Sequence, residues 1–138
     1  MARDVSVRAP VASPISKVDV VGIPSSDAER SRQFYVDTLG LRPDDNARYE
    51  FWVGDTCFAI WQPAQFGIEY QPQANSIVLL HVEDVAAARD ELEAKGVQFD
   101  GETLDTGVCH MAGFRDPVGN ELTLHKRYAP YSHDPSAR

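Results

Sequence analysis

The stretch IPSSDAERSRQFYVDTLGL, residues 23–41, decides the fold. It predicts a helix over about residues 27–39. Ser26 and Glu29 stand in the S-x-x-E arrangement, in which a hydroxyl and a carboxylate satisfy each other's free amide donors at a helix start. Ala28, Tyr35 and Leu39 fall on one face, and Gly40 is placed to take the left-handed conformation that closes the helix. Before it, residues 17–23 are rich in β-branched side chains and predict a strand. After it, residues 49–53 and 56–61 flank Gly54-Asp55, a two-residue connection suited to a tight hairpin. Residues 63–75 then read as a loop rich in Gln, Pro and Gly.

The same order returns further along the chain. Residues 76–82 predict a strand, Asp84 a helix cap, Val85, Ala88 and Leu92 one apolar helix face, and Lys95-Gly96 its end. Asp27 and Asp84 lie 57 residues apart, and Gly40 and Gly96 lie 56 apart. A nearly constant offset over strand, cap, helix and closing glycine makes the chain a tandem of two strand–helix–strands units. Short strands follow near residues 98–99, 108–114 and 120–125.

The whole chain has 138 residues, which fits one domain. We expect a flexible N-terminal segment over residues 1–14, a domain over 15–128 with modules at 15–66 and 76–128, and a tail over 129–138. Apolar residues at 43% and charged residues at 25% match a folded globular protein and exclude wholesale disorder. Thirteen Lys and Arg against twenty-one Asp and Glu give a net charge of −8, which repels phosphate. Nucleic acid and anionic membrane surfaces are therefore not expected as partners. No apolar run approaches the ~18 residues of a membrane helix, and the N-terminus lacks the apolar core of a secretory signal, so a cytoplasmic location is expected. Cys57 and Cys109 stand alone without zinc-like spacing and read as reduced thiols.

A second motif lies near the end. In FRDPVGNELTL, residues 114–124, Pro117 presets a turn, Gly119 permits positive φ and Asn120 can bond nearby backbone. Asp116, Pro117, Gly119 and Asn120 thus read as turn builders without a chemical role, and Phe34 and Tyr35 as packing aromatics. Together, the segment at residues 23–41 and this turn resemble the "D…FY…LGL" and "DPxGN" motifs of the vicinal oxygen chelate superfamily, which includes glyoxalase I, bleomycin resistance proteins and extradiol dioxygenases. The resemblance covers about residues 15–128. It implies an α+β fold of two tandem βαβββ modules forming a cup-shaped mixed β-sheet with helices outside, and a homodimer.

Enzymes of that family hold a divalent metal on His, Gln or Glu side chains of the first and last strands of each module. Carried over position by position, the resemblance puts those ligands on Val20, near Ala59, on Ile77 and on Thr123. Val, Ala and Ile cannot ligate a metal and a neutral Thr hydroxyl does so poorly, so the usual centre is expected to be absent, with no cofactor. A displaced set of His81, His125 and Glu121, which share the parity of the aligned positions, is the remaining route to a metal or to general-base catalysis.

Without a metal the cup becomes a pocket. Strand parity, taken from the ligand positions the resemblance implies, turns Cys57, Ala59 and Trp61 into it from module one, and Ile77, Leu79, His81, Glu121, Thr123 and His125 from module two, with Trp52 at the rim. Aromatic area with a few polar groups suits a small aromatic or cationic molecule. The leading expectation is a bleomycin-resistance-type binder that sequesters such a compound. The alternatives are a lyase, isomerase or dioxygenase using the displaced His and Glu set, and a structural protein whose cup is filled by its own side chains.

Overall fold

A computed structural model describes residues 13–75 and 78–132. Residues 1–12 of the expected lead-in, Ile77, and residues 133–138 of the expected tail lie outside the described residues. Strand β1 (Val20–Pro24) leads into α1 (Ala28–Gln33), which continues as a π-helical turn, Phe34–Thr38. The short β2 (Arg42–Pro43), β3 (Glu50–Val53) and β4 (Thr56–Trp61) complete the first module. A 3₁₀ turn, Pro63–Phe66, opens the connection to β5 (Leu79–His81), α2 (Val85–Ala94), β6 (Phe99–Asp105), β7 (Cys109–Arg115) and β8 (Glu121–Arg127).

Each module folds into one four-stranded mixed sheet, ordered β1-β4-β3-β2 in the first and β5-β8-β7-β6 in the second. The parallel pairs are β1 with β4 and β5 with β8, and the other pairs are antiparallel. The tandem of two units expected from the repeat, in the βαβββ form that the resemblance implies, is therefore present.

Local chemistry departs from expectation at three places. Asp27 rather than Ser26 caps α1, accepting from the Arg30 amide at 3.2 Å, while Ser25 Oγ accepts from the Asp27 amide at 2.9 Å. The expected box with Glu29 does not form, because that carboxylate accepts from Arg48 Nε at 2.8 Å and from the Tyr49 hydroxyl at 2.6 Å. The expected helix is also not uniform. Its last turn widens to π geometry, burying Tyr35 to 1% exposure before Gly40 closes it at φ +73°. Finally, β1 starts at Val20 rather than Lys17, since its ladder with β4 begins at the Val20–Cys57 pair.

The π turn lies between the two sheets. Tyr35 stacks on Phe51 of the first sheet with ring centroids 5.0 Å apart, and its neighbour Phe34 meets Phe114 of the second at 6.4 Å. Phe58 and Ile60 on one side and Ala112, Leu122 and Leu124 on the other join the same buried core. Both sheets thus turn their helix-covered faces toward this shared interior. Because strand side chains alternate, the opposite, helix-free faces point away from it.

A buried polar clamp ties the modules together. The Tyr35 hydroxyl donates to Asp116 Oδ2 at 2.6 Å, and Asn120 Nδ2 donates to the Pro24 carbonyl of β1 at 2.8 Å. Asn120 Nδ2 also reaches Asp116 Oδ2 at 2.8 Å, and Asp116 Oδ1 accepts from the amides of Val118 and Asn120. The turn residues therefore do more than shape their own loop. Burial, and then the Asp116 charge, push the Tyr35 hydroxyl far above the ordinary tyrosine pKa, so it remains a donor.

Candidate functional site

Register places the expected pocket residues on the two helix-free faces. On the first sheet, Val20, Cys57 and Trp52 form one cross-strand row, Gly22, Ala59 and Glu50 the next, and Pro24 and Trp61 a third. On the second, Leu79, Thr123 and Gly113 are aligned, followed by His81, His125 and Met111, with Glu121 opposite Arg115. Trp52, Cys57 and Trp61 thus share one face, and Leu79, His81, Glu121, Thr123 and His125 share another. Within one chain these two faces point apart and meet only at the seam, where Val20 and Glu121 line one crevice. Sequence parity located each face but could not show that the modules pack through their helix sides.

The first face carries most of the aromatic area. Trp61 remains 37% exposed, and a Cβ placed on Gly22 would lie 3.4 Å from its indole nitrogen, so the ring rests over the bare glycine backbone. Phe66, from the 3₁₀ turn, stands 6.1 Å from Trp61 by ring centroids and is itself exposed. Trp52 donates its indole N–H to Asp44 Oδ1 at 3.1 Å. Cys57 is a buried free thiol whose Sγ donates to Glu50 Oε1 at 3.3 Å. Burial and then the Glu50 carboxylate push this thiol above its ordinary pKa, which makes it a poor nucleophile.

The second face is more polar. His81 and His125 are register partners on neighbouring parallel strands. His81 is exposed, and its Nε2 lies 2.9 Å from Glu83 Oε1, whose other oxygen is 3.4 Å from Lys126 Nζ. Glu121, the third member of the displaced set, is engaged elsewhere, 3.6 Å from Arg115 Nη2 and accepting from the Asn75 amide at 2.7 Å. Among the described residues no three His, Cys, Asp or Glu side chains come together as a possible metal site. The aligned positions Val20, Ala59 and Thr123 lie on the helix-free faces and supply no strong donor.

A crevice of about 480 Å³ opens at the seam where the sheets part, lined by Val20, Ile23, Tyr35, Phe58, Glu121 and Leu122 among others. Its size suits a small ligand. Of the described residues expected in the pocket or aligned with the family's metal ligands, Val20 and Glu121 reach it. The Tyr35–Asp116 clamp and Glu50 were also missed. The "FY" and "DPxGN" motifs held the signal for the clamp, but spacing alone could not pair residues 81 positions apart. Glu50 sits one residue from the hairpin's apolar stripe, with nothing to mark it in sequence.

Among the described residues no helix is long and apolar enough to cross a membrane. No curated protein matches the chain significantly. Solved structures do. A glyoxalase/bleomycin resistance protein/dioxygenase superfamily member from Sphaerobacter thermophilus is 26% identical, covering 80% of this chain and 97% of its own, with a TM-score of 0.69. TnmS3, an antibiotic binding protein from Streptomyces sp. CB03234, is 27% identical over 84% of this chain and 99% of its own, with a TM-score of 0.67. A lactoylglutathione lyase from Agrobacterium tumefaciens, 17% identical over 82% of this chain and 95% of its own, shares the fold at a TM-score of 0.65. The family model for the glyoxalase/bleomycin resistance protein/dioxygenase superfamily matches residues 17–124, and the chain belongs to that superfamily.

Proposed function

We propose that the chain is a metal-independent binder that holds a small aromatic or cationic molecule in a cup completed by two copies of itself. The observation that carries this reading is the first helix-free face. There Ala59 stands between the rows of Trp52 and Trp61, the Trp61 indole lies over Gly22, and the aligned ligand positions Val20 and Ala59 offer apolar surface in place of metal donors. An indole supplies area and orientation to a flat ligand at low entropic cost. The likeness to an antibiotic binding protein supports binding over turnover.

The packing supports a homodimer. Since the helix-free faces of one chain point away from their shared core, the face of module one in one copy can close over the face of module two in another. Val20, Trp61 and Leu79 are 49%, 37% and 44% exposed on these faces, apolar surface that such closure would bury. No cofactor takes part in this reading, and the net charge of −8 favours cationic ligands at long range.

Titration of tryptophan fluorescence with a panel of aromatic and basic natural products, in buffer containing a chelator, tests the reading. Saturable quenching by at least one compound, from a species that sediments as a dimer, is the expected result. A flat response across the panel, or a strictly monomeric protein, contradicts it.

A further inference from the structure

We infer that Glu50 selects the charge of the ligand and that the first helix-free face takes a planar aromatic cation. The inference rests on the small-molecule reading of that face and adds its chemical class and the residue that reads it.

Glu50 sits directly across the β3–β4 ladder from Ala59, in the row between those of the two tryptophans. Trp52 pairs with Cys57, two residues from Ala59 along β4, and Trp61 lies two residues beyond Ala59 on the same side. At ~3.3 Å per residue the two tryptophan rows stand ~13 Å apart, with the carboxylate about midway. Between them stands Ala59, with Gly22 beside it under the Trp61 indole. A flat ring system fits against such a small-residue surface.

The carboxylate is underpaired for its burial. Asp44, Glu50 and Glu121 are the half-buried carboxylates among the described residues, and Asp116 is fully buried. Asp116 accepts from four donors, Glu121 from a backbone amide with Arg115 beside it, and Asp44 from the Trp52 indole and the Asn46 amide. Glu50 has only the Cys57 thiol, a weak donor, and no ion pair among the described residues. Arg42, in the register position opposite Trp52, is exposed, and its charge acts on Asp44. A half-buried carboxylate without a strong partner costs stability, and a ligand cation would offset that cost on binding. The indoles of Trp52 and Trp61, on the rows either side of Glu50, add cation–π attraction. An anionic or neutral ring system of the same shape would leave Glu50 uncompensated and bind more weakly.

The test uses proflavine, a flat tricyclic cation, and 1-anilinonaphthalene-8-sulfonate, an anion of similar area, as fluorescent probes of the full chain. The wild type should bind proflavine more tightly than the sulfonate. Glu50→Gln, which keeps shape and removes charge, should weaken proflavine by about tenfold or more, lose most of the salt dependence of its binding and leave the sulfonate unchanged or tighter. Glu50→Asp should restore part of the affinity, and Glu91→Gln, on the exposed side of α2, should change nothing. Equal proflavine affinity in wild type and Glu50→Gln overturns the inference while leaving a binding face intact. Failure of the wild type to bind either probe or any member of the natural-product panel overturns the small-molecule reading itself.

Discussion

Replacing Tyr35 by Phe should destabilise the fold by about 2 kcal/mol, because hydrogen bonds to buried charged groups contribute roughly 1.5–3 kcal/mol. The hydroxyl lost is the one 2.6 Å from Asp116 Oδ2, with Tyr35 and Asp116 only 1% and 4% exposed. Asp116 keeps its other three donors, those from Val118, Asn120 and the Asn120 side chain, so it is weakened rather than stranded. The ring itself remains, and with it the stacking on Phe51, so no large cavity adds to the loss. For a chain of this length the melting temperature should fall by about 8 °C, taking roughly 4 °C per kcal/mol. Urea unfolding followed by tryptophan fluorescence and thermal unfolding followed by circular dichroism measure both quantities. Tyr49→Phe is the matched control. Its hydroxyl also donates at 2.6 Å to a carboxylate, that of Glu29, but in an exposed setting, and its removal should leave the melting temperature nearly unchanged. Equal effects of the two substitutions would refute the view that burial of the clamp, rather than bond length, sets its contribution.

Asn120→Ala removes the bonds to the Pro24 carbonyl, to Asp116 and from the Gln73 amide at once, and should cost about 3 kcal/mol in urea unfolding. The Glu29 carboxyl, beside the Arg48 guanidinium and the Tyr49 hydroxyl, is held down to about 2. Its contribution to stability is accordingly present above the ordinary glutamate value of 4.5 and is lost as pH falls from there toward 2, and NMR titration should return it to the ordinary range in Arg48→Ala. Ala59→Phe places a ring on the floor between Trp52 and Trp61, and ligand affinity in the fluorescence titration should drop by more than about tenfold with little change in melting temperature, because the side chain points away from the core.

Much of the fold was legible because it repeats. Asp84 caps α2 through the Ala87 amide as its sequence predicts, and Gly96 closes that helix at φ +93°. The hairpin at Gly54-Asp55 forms between β3 and β4 with the expected register of Val53 against Thr56. What sequence could not supply was tertiary. β2 is two residues long, too short for any period to declare it. The β6 strand runs to Asp105 through Gly101 at φ +70° and an irregular register, so its polar residues hide it. At the site, parity turned Cys57 and Trp61 from one module and Thr123 and His125 from the other into a single cup with Trp52 at its rim, whereas the packing of Phe34 and Tyr35 between the sheets points those faces apart. Glu50 was invisible for a related reason, since its significance lies in the partners it lacks.

The central claim, that the cup binds its ligand without a metal, is tested most directly by elemental analysis of protein purified without chelators, paired with ligand affinity before and after exhaustive chelation. The account predicts substoichiometric Fe, Zn, Mn and Ni and the same affinity in both states. One equivalent of metal per chain, lost in a His81→Ala His125→Ala double variant together with ligand binding, would contradict it.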